Sequence, residues 1–281
     1  LSIPFVANDG QTDPSVAYYA QTFAGTVFVT KSGKIVYSLP GRPAPDKEED
    51  AGLDHRSSRA DRATRSPGWV LTETFVGGRP KLGAGTPSPT HVSYFLGADK
   101  TRWTNRTSTY DKVQLGEVWP GIEVSLKAYG QNVEKLFVVQ QGKSAKTIRL
   151  RVGGAKGLRV SDDGTLVVTT GHGDIVYTKP VAWQEKGDAR LPVEAAYRLE
   201  SASSSPSFPN APIGNPASLA YGFALGAYDP NLPVFIDPLL QATYLGGSSY
   251  DYGRALAIHP TTGEIYLGGY TGSTNFPGKI G

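Results

Sequence analysis

The chain has 281 residues, 39% hydrophobic and 19% charged, with a formal net charge of +3, enough to bury one large core or two smaller ones without covalent staples. That charge is mild and scattered rather than gathered in a basic stripe, which excludes a nucleic-acid footprint. No apolar run approaches the roughly 20 residues of a membrane-spanning helix, and the absence of cysteine excludes disulfides, thiolate nucleophiles and cysteine metal sites.

Methionine is absent as well, which removes the most readily oxidised apolar side chain and suits an extracellular life. The chain begins at Leu1 with no visible signal peptide, so a processed or trimmed N-terminus is expected. The 34 glycines and 21 prolines lack a Gly-X-Y period and punctuate short alternating segments instead, predicting a turn-rich β protein. Within Ile3 to Leu39, "SVAYYAQTFAGTVFVTKSGKIVYSL" alternates at Val16, Tyr18 and Ala20 and again at Val27 and Val29. With its AGT and KSGK turns it predicts a three-stranded meander. Residues 40–67, "PGRPAPDKEEDAGLDHRSSRADRATRSP", carry both charge signs and almost no large apolar residue, and read as a surface loop.

Strands resume at "WVLTETFVGG" and "THVSYFLG". Alternation at Ile122, Val124 and Leu126, then at Leu136 and Val138, predicts a hairpin. A second hairpin pairs Leu158–Val160 with Leu166–Val168 around the turn Asp162-Asp163-Gly164. "DIVYTKPVAWQ" and "PVEAAYRLE" continue the pattern, and the Ser/Pro-rich stretch 201–218 reads as a loop or linker. Beyond it, "LAYGFALGAYDPNLPVFIDPLLQATYLGG" carries strand signals again. No stretch sustains a 3.6-residue apolar period, so helix content is expected to be small. The predicted fold is all-β: an antiparallel β-sandwich-like domain over 1–238 and a propeller-blade-like hairpin block over 239–281.

That last block, "QATYLGGSSYDYGRALAIHPTTGEIYLGGYTGSTNFPG", resembles the bacterial β-propeller repeat of the seven-bladed type. The resemblance rests on Tyr244 to Gly247, Asp251, Ala255 to Ile258, Gly263, Ile265 to Gly269, Thr271 and Phe276-Pro277. The preceding region is similar to the uncharacterised β domain that lies N-terminal to such repeats in large secreted bacterial proteins. "FVANDGQTDPSVAYYAQTFAGTVFVTKSGKIVYSL", "VSYFLGADKTRWTNRTSTYDKVQLGEVWPGIEVSL" and "YGFALGAYDPNLPVFIDPLLQATYLGG" carry that similarity. It departs at the charged 40–67 insertion, at the Ser/Pro stretch and at "GIEVSL", where relatives more often have an aspartate and a tyrosine. The resemblance implies a secreted or surface-attached protein and transfers no catalytic residue.

One repeat alone leaves wet the apolar surface that neighbouring blades would cover. The candidate assembly segment is therefore Tyr244, Leu245, Leu256, Ile258, Ile265, Tyr266, Leu267 and Phe276. It is expected to dock by strand pairing, on a sheet of its own domain, on another copy or on further repeats of a longer chain, and head-to-tail contact between copies would grow a filament. The expected function is a non-enzymatic structural or adhesive module of the cell exterior, without cofactor or membrane span; a carbohydrate-binding or carbohydrate-cleaving module is the alternative, with a surface polysaccharide as its partner.

Chemistry is sparse. His55, His91, His172 and His259 show no metal-ligand spacing, and neither a Gly-x-Ser-x-Gly elbow nor a phosphate loop precedes a helix. Glu117, Glu123 and Glu134 read as exposed strand carboxylates. Asp162-Asp163-Gly164 and Asp229-Pro230-Asn231 read as turns rather than calcium loops. Trp69, Trp103, Trp119 and Trp183 are expected in the sheet core.

Overall fold

The computed structural model describes residues 2–22, 25–39, 68–95, 98–100, 103–130, 132–171, 173–200, 219–241, 251–258 and 265–271, those from 239 onward by their backbone alone. The loop predictions at 40–67 and 201–218, and His55, His172 and His259, lie outside these residues. The described residues are all-β and antiparallel, with a 3-10 turn at Ala145–Thr147. Two compact units divide the chain, the first ending at Ala242.

In the first unit, β1 (Ser2–Ile3), β2 (Phe5–Ala7), β3 (Val16–Thr22), β4 (Gly25–Thr30), β5 (Ile35–Leu39) and β6 (Trp69–Phe75) come first. From β2 to β6 they pair in chain order. Next, β7 (Gly83–Tyr94), β8 (Thr104–Trp119), β9 (Ile122–Tyr129) and β10 (Asn132–Val139) also pair in order. The β2–β8 ladder joins these two runs, and β1 pairs with the end of β9, at Ala128 and Tyr129, on the edge that β8 occupies further along. The β8–β9 connection is a Pro-Gly turn: Gly121 has φ +74°, which favours glycine, and its N–H donates to the Glu117 carboxylate at 2.6 Å.

Ten further pairings among the described residues complete the wall. β11 (Leu150–Gly153) joins β6 to β18 (Ala220–Leu225), which pairs with β17 (Ala195–Glu200). β12 (Gly157–Val160), β13 (Leu166–Thr170) and β14 (Gly173–Tyr177) form a meander, and β15 (Val181–Lys186) pairs with β16 (Ala189–Val193). Two short strands then share β10 as a template. β19 (Val234–Asp237) bridges β10 to β15, and β20 (Leu239–Gln241) bridges β10 to β14. The sheet curls on itself, because Glu73 of β6 meets Lys135 of β10, many ladders away.

Strand alternation explains the core. Leu71, Glu73 and Phe75 of β6, Val113 and Leu115 of β8, and Ile122, Val124, Leu126 and Ala128 of β9 all point inward. In β10 the inward set is Val133, Lys135, Phe137 and Val139, whereas Leu136 and Val138 are half-buried on the opposite face. The expected phase of β10 is thus reversed. Both faces of that strand carry apolar residues, so only its partners fix the face, and a lysine occupies an inward position. A bulge between Val16 and Tyr18 likewise turns Tyr19, not Tyr18, into a small second cluster with Val6 and Val16.

The tryptophans depart from expectation. Only Trp119 is in the core, its indole N–H donating to the Val76 carbonyl at 3.1 Å. Trp69 is half-buried and donates to the Gly154 carbonyl at 2.8 Å. Trp183 lies stacked on Phe235, centroids 5.4 Å apart, with Arg190 over its ring. Trp103 meets Phe95 edge-on near the tip of the β7–β8 hairpin. The polar edge of an indole needs a partner or water, which draws these rings to the surface.

The second unit contains β21 (Asp251–Ile258) and β22 (Ile265–Thr271), antiparallel with a bulge between Gly253 and Ala255.

Candidate functional site

The candidate assembly residues fall partly on this hairpin. Its register sets Leu256 opposite Leu267 and Ile258 opposite Ile265, so these four positions share one face, while Tyr266 falls opposite Ala257 on the other. Tyr244, Leu245 and Phe276 lie outside the described residues. Among the described residues β21 and β22 pair only with each other, which leaves an outer edge on each strand.

The most distinctive chemistry lies inside the first unit. Lys135 and Glu73 are fully buried, and the ammonium contacts both carboxylate oxygens, Oε1 at 2.7 Å and Oε2 at 2.6 Å. Three phenols complete the carboxylate's shell. Tyr221 donates to Oε1 at 2.6 Å, Tyr177 donates to Oε1 at 3.1 Å, and Tyr37 donates to Oε2 at 2.8 Å. The Tyr221 oxygen also accepts from Lys135 Nζ at 2.9 Å, and Nζ lies 4.5 Å from the centre of the Tyr177 ring. Tyr197 packs edge-on against Tyr221. Five strands supply the cluster: β5, β6, β10, β14 and β18.

Its electrostatics follow from burial. Desolvation pushes the Glu73 carboxyl up, but Lys135 and the hydroxyl donors outweigh it and hold the group below the ordinary range. Desolvation also holds the Lys135 ammonium below the usual lysine range, and Glu73 offsets that only in part. Burial, then the Glu73 charge, raises Tyr37, Tyr177 and Tyr221 well above an ordinary phenol, which keeps all three as donors. Alternation alone does not single out this cluster, although the sequence carries a signal for it. In "LTETF" a glutamate sits between Leu71 and Phe75 on the apolar phase, and in "VEKLFVV" a lysine sits between Val133 and Phe137.

The other candidates are scattered. Glu117 and Glu123 are exposed and face each other across β8 and β9. Glu134 is half-buried beside Asp237 of β19, whose carboxyl is pushed up to about 7 by burial and by Glu134. Tyr129 is raised to about 12 by burial and by these same two acids. Asp163 accepts from the Thr165 N–H at 3.0 Å, and Asp229 accepts from the Asn231 N–H at 2.9 Å, so both carboxylates serve their own turns. His91 is exposed on β7, and among the described residues no three His, Asp or Glu side chains converge as metal ligands. No described helix is long and apolar enough to cross a membrane.

No curated protein matches the chain. A family model described as "Domain of unknown function (DUF7948)" matches residues 5–239, which is the span from β2 to the start of β20. The chain therefore belongs to the DUF7948 family.

Proposed function

We propose that this protein is an extracellular structural module, adhesive rather than catalytic, whose copies associate by β-strand pairing through the hairpin β21–β22. The observation that carries the reading is a two-stranded sheet whose strands pair only with each other among the described residues and gather four large aliphatic positions on one face. Such a sheet is marginal alone, and its edges carry unpaired N–H and C=O groups that template another strand. On this reading the first unit is a sandwich-like body and the hairpin is part of a propeller-type blade that a second copy completes. Head-to-tail pairing then extends into an open filament. The absence of the readily oxidised cysteine and methionine, together with the likeness to secreted repeat proteins, supports the exterior location.

Sedimentation of the full chain across a wide concentration range tests this. Association that grows with concentration, and is abolished by Leu256→Lys with the first unit still folded, is the expected result. A chain that stays monomeric at every concentration overturns it.

A further inference from the structure

We propose that Lys135 and Glu73 condense spontaneously into an intramolecular isopeptide bond, a covalent staple between β6 and β10. The inference is independent of the association described above. It begins from contact. An amine and a carboxyl 2.6 and 2.7 Å apart, fixed by five strands and fully shielded from solvent, have a large effective concentration for bond formation. Water, the competitor that drives hydrolysis of amides, is excluded by the same packing.

The cluster also holds the proton path. Nζ donates to the Tyr221 oxygen at 2.9 Å, and Tyr221 donates onward to Oε1 of Glu73 at 2.6 Å. One transfer along this line converts ammonium and carboxylate into neutral amine and carboxylic acid, a form that desolvation brings closer in energy to the ion pair. The Nζ lone pair then forms a bond to Cδ of Glu73. The negative charge that develops rests on Oε2, where the Tyr37 hydroxyl donates at 2.8 Å, as an oxyanion donor should. A second proton leaves Nζ through Tyr221 to Oε1, the Cδ–Oε1 bond breaks, and one water departs. Two of the three ammonium protons leave with that water and the third remains on the amide nitrogen, so atoms and charge balance and no oxidant is needed. The ring of Tyr177, 4.5 Å from Nζ, holds the nitrogen in place. The product replaces a buried pair of charges with a neutral amide, in a chain that has no cysteine for a disulfide.

Intact mass of the full chain, denatured after purification in its folded form, tests the proposal. The expected mass is one water below that of the sequence. Tryptic digestion should yield a branched peptide joining 66–81 to 128–143, because the acylated Lys135 is no longer cleaved. Tyr221→Phe keeps the ring and removes the relay, and should slow linking by about a hundredfold or more. A folded wild-type chain at its full sequence mass, after prolonged incubation, overturns the proposal. So does a water deficit that maps elsewhere, such as a succinimide at Asp163-Gly164. Linking in Tyr221→Phe at the wild-type rate overturns the relay.

Discussion

Lys135 and Glu73 occupy inward strand positions where aliphatic side chains would serve packing alone. Taking away one partner strands the other inside the protein, so Lys135→Met should cost about 3–5 kcal/mol in denaturant unfolding. Adding Glu73→Leu to that variant should return the part of the loss that comes from the stranded carboxylate, since the second charge then disappears as well. Asp237 works on pH rather than on packing. Its folded-state carboxyl is raised from 3.8 to about 7, by burial first and then by Glu134, with Lys127 opposing. Between those values the folded chain keeps a proton that the unfolded chain has released. Stability therefore falls as pH rises through that window and levels off above it. Asp237→Asn should flatten this fall, which melting at about pH 5 and about pH 8 would read directly.

At the scale of elements, the short strand β20 matters more than its three residues suggest. It is zipped between β10 and β14, so the first unit cannot be cut at 238 without opening two ladders. Truncation after Ala242 should leave the melting of the first unit nearly unchanged. Truncation after Pro238 should lower its stability by about 1 kcal/mol for each backbone hydrogen bond lost, measurable by denaturant titration of the two pieces. Short turns and alternation made most of the strands legible in the sequence: the β12–β13 hairpin around Asp162-Asp163-Gly164 pairs Val160 with Leu166 as expected. The buried cluster was not legible from apolar periodicity, because a period count scores Lys135 and Glu73 as solvent positions. Only their partnership across β6 and β10, set by the curl of the sheet, makes the inward phase tolerable. The outer face of β10, with Leu136 and Val138, offered the competing pattern.

For the whole molecule, the family match over 5–239 and the first compact unit, which closes at Ala242, nearly coincide, while the hairpin lies beyond the matched residues. The first unit is tied together by contacts that are remote along the chain. Glu73 reaches Tyr37 across 36 residues, Lys135 across 62, Tyr177 across 104 and Tyr221 across 148. Each such closure must be made before it is rewarded, which makes folding slow relative to local structure. The cluster supplies a timer. Until the segment bearing Tyr221 emerges from synthesis, Glu73 and Lys135 have no full set of partners and stay hydrated on separate strands. The interior of this protein can seal only after nearly all of the first unit has been made.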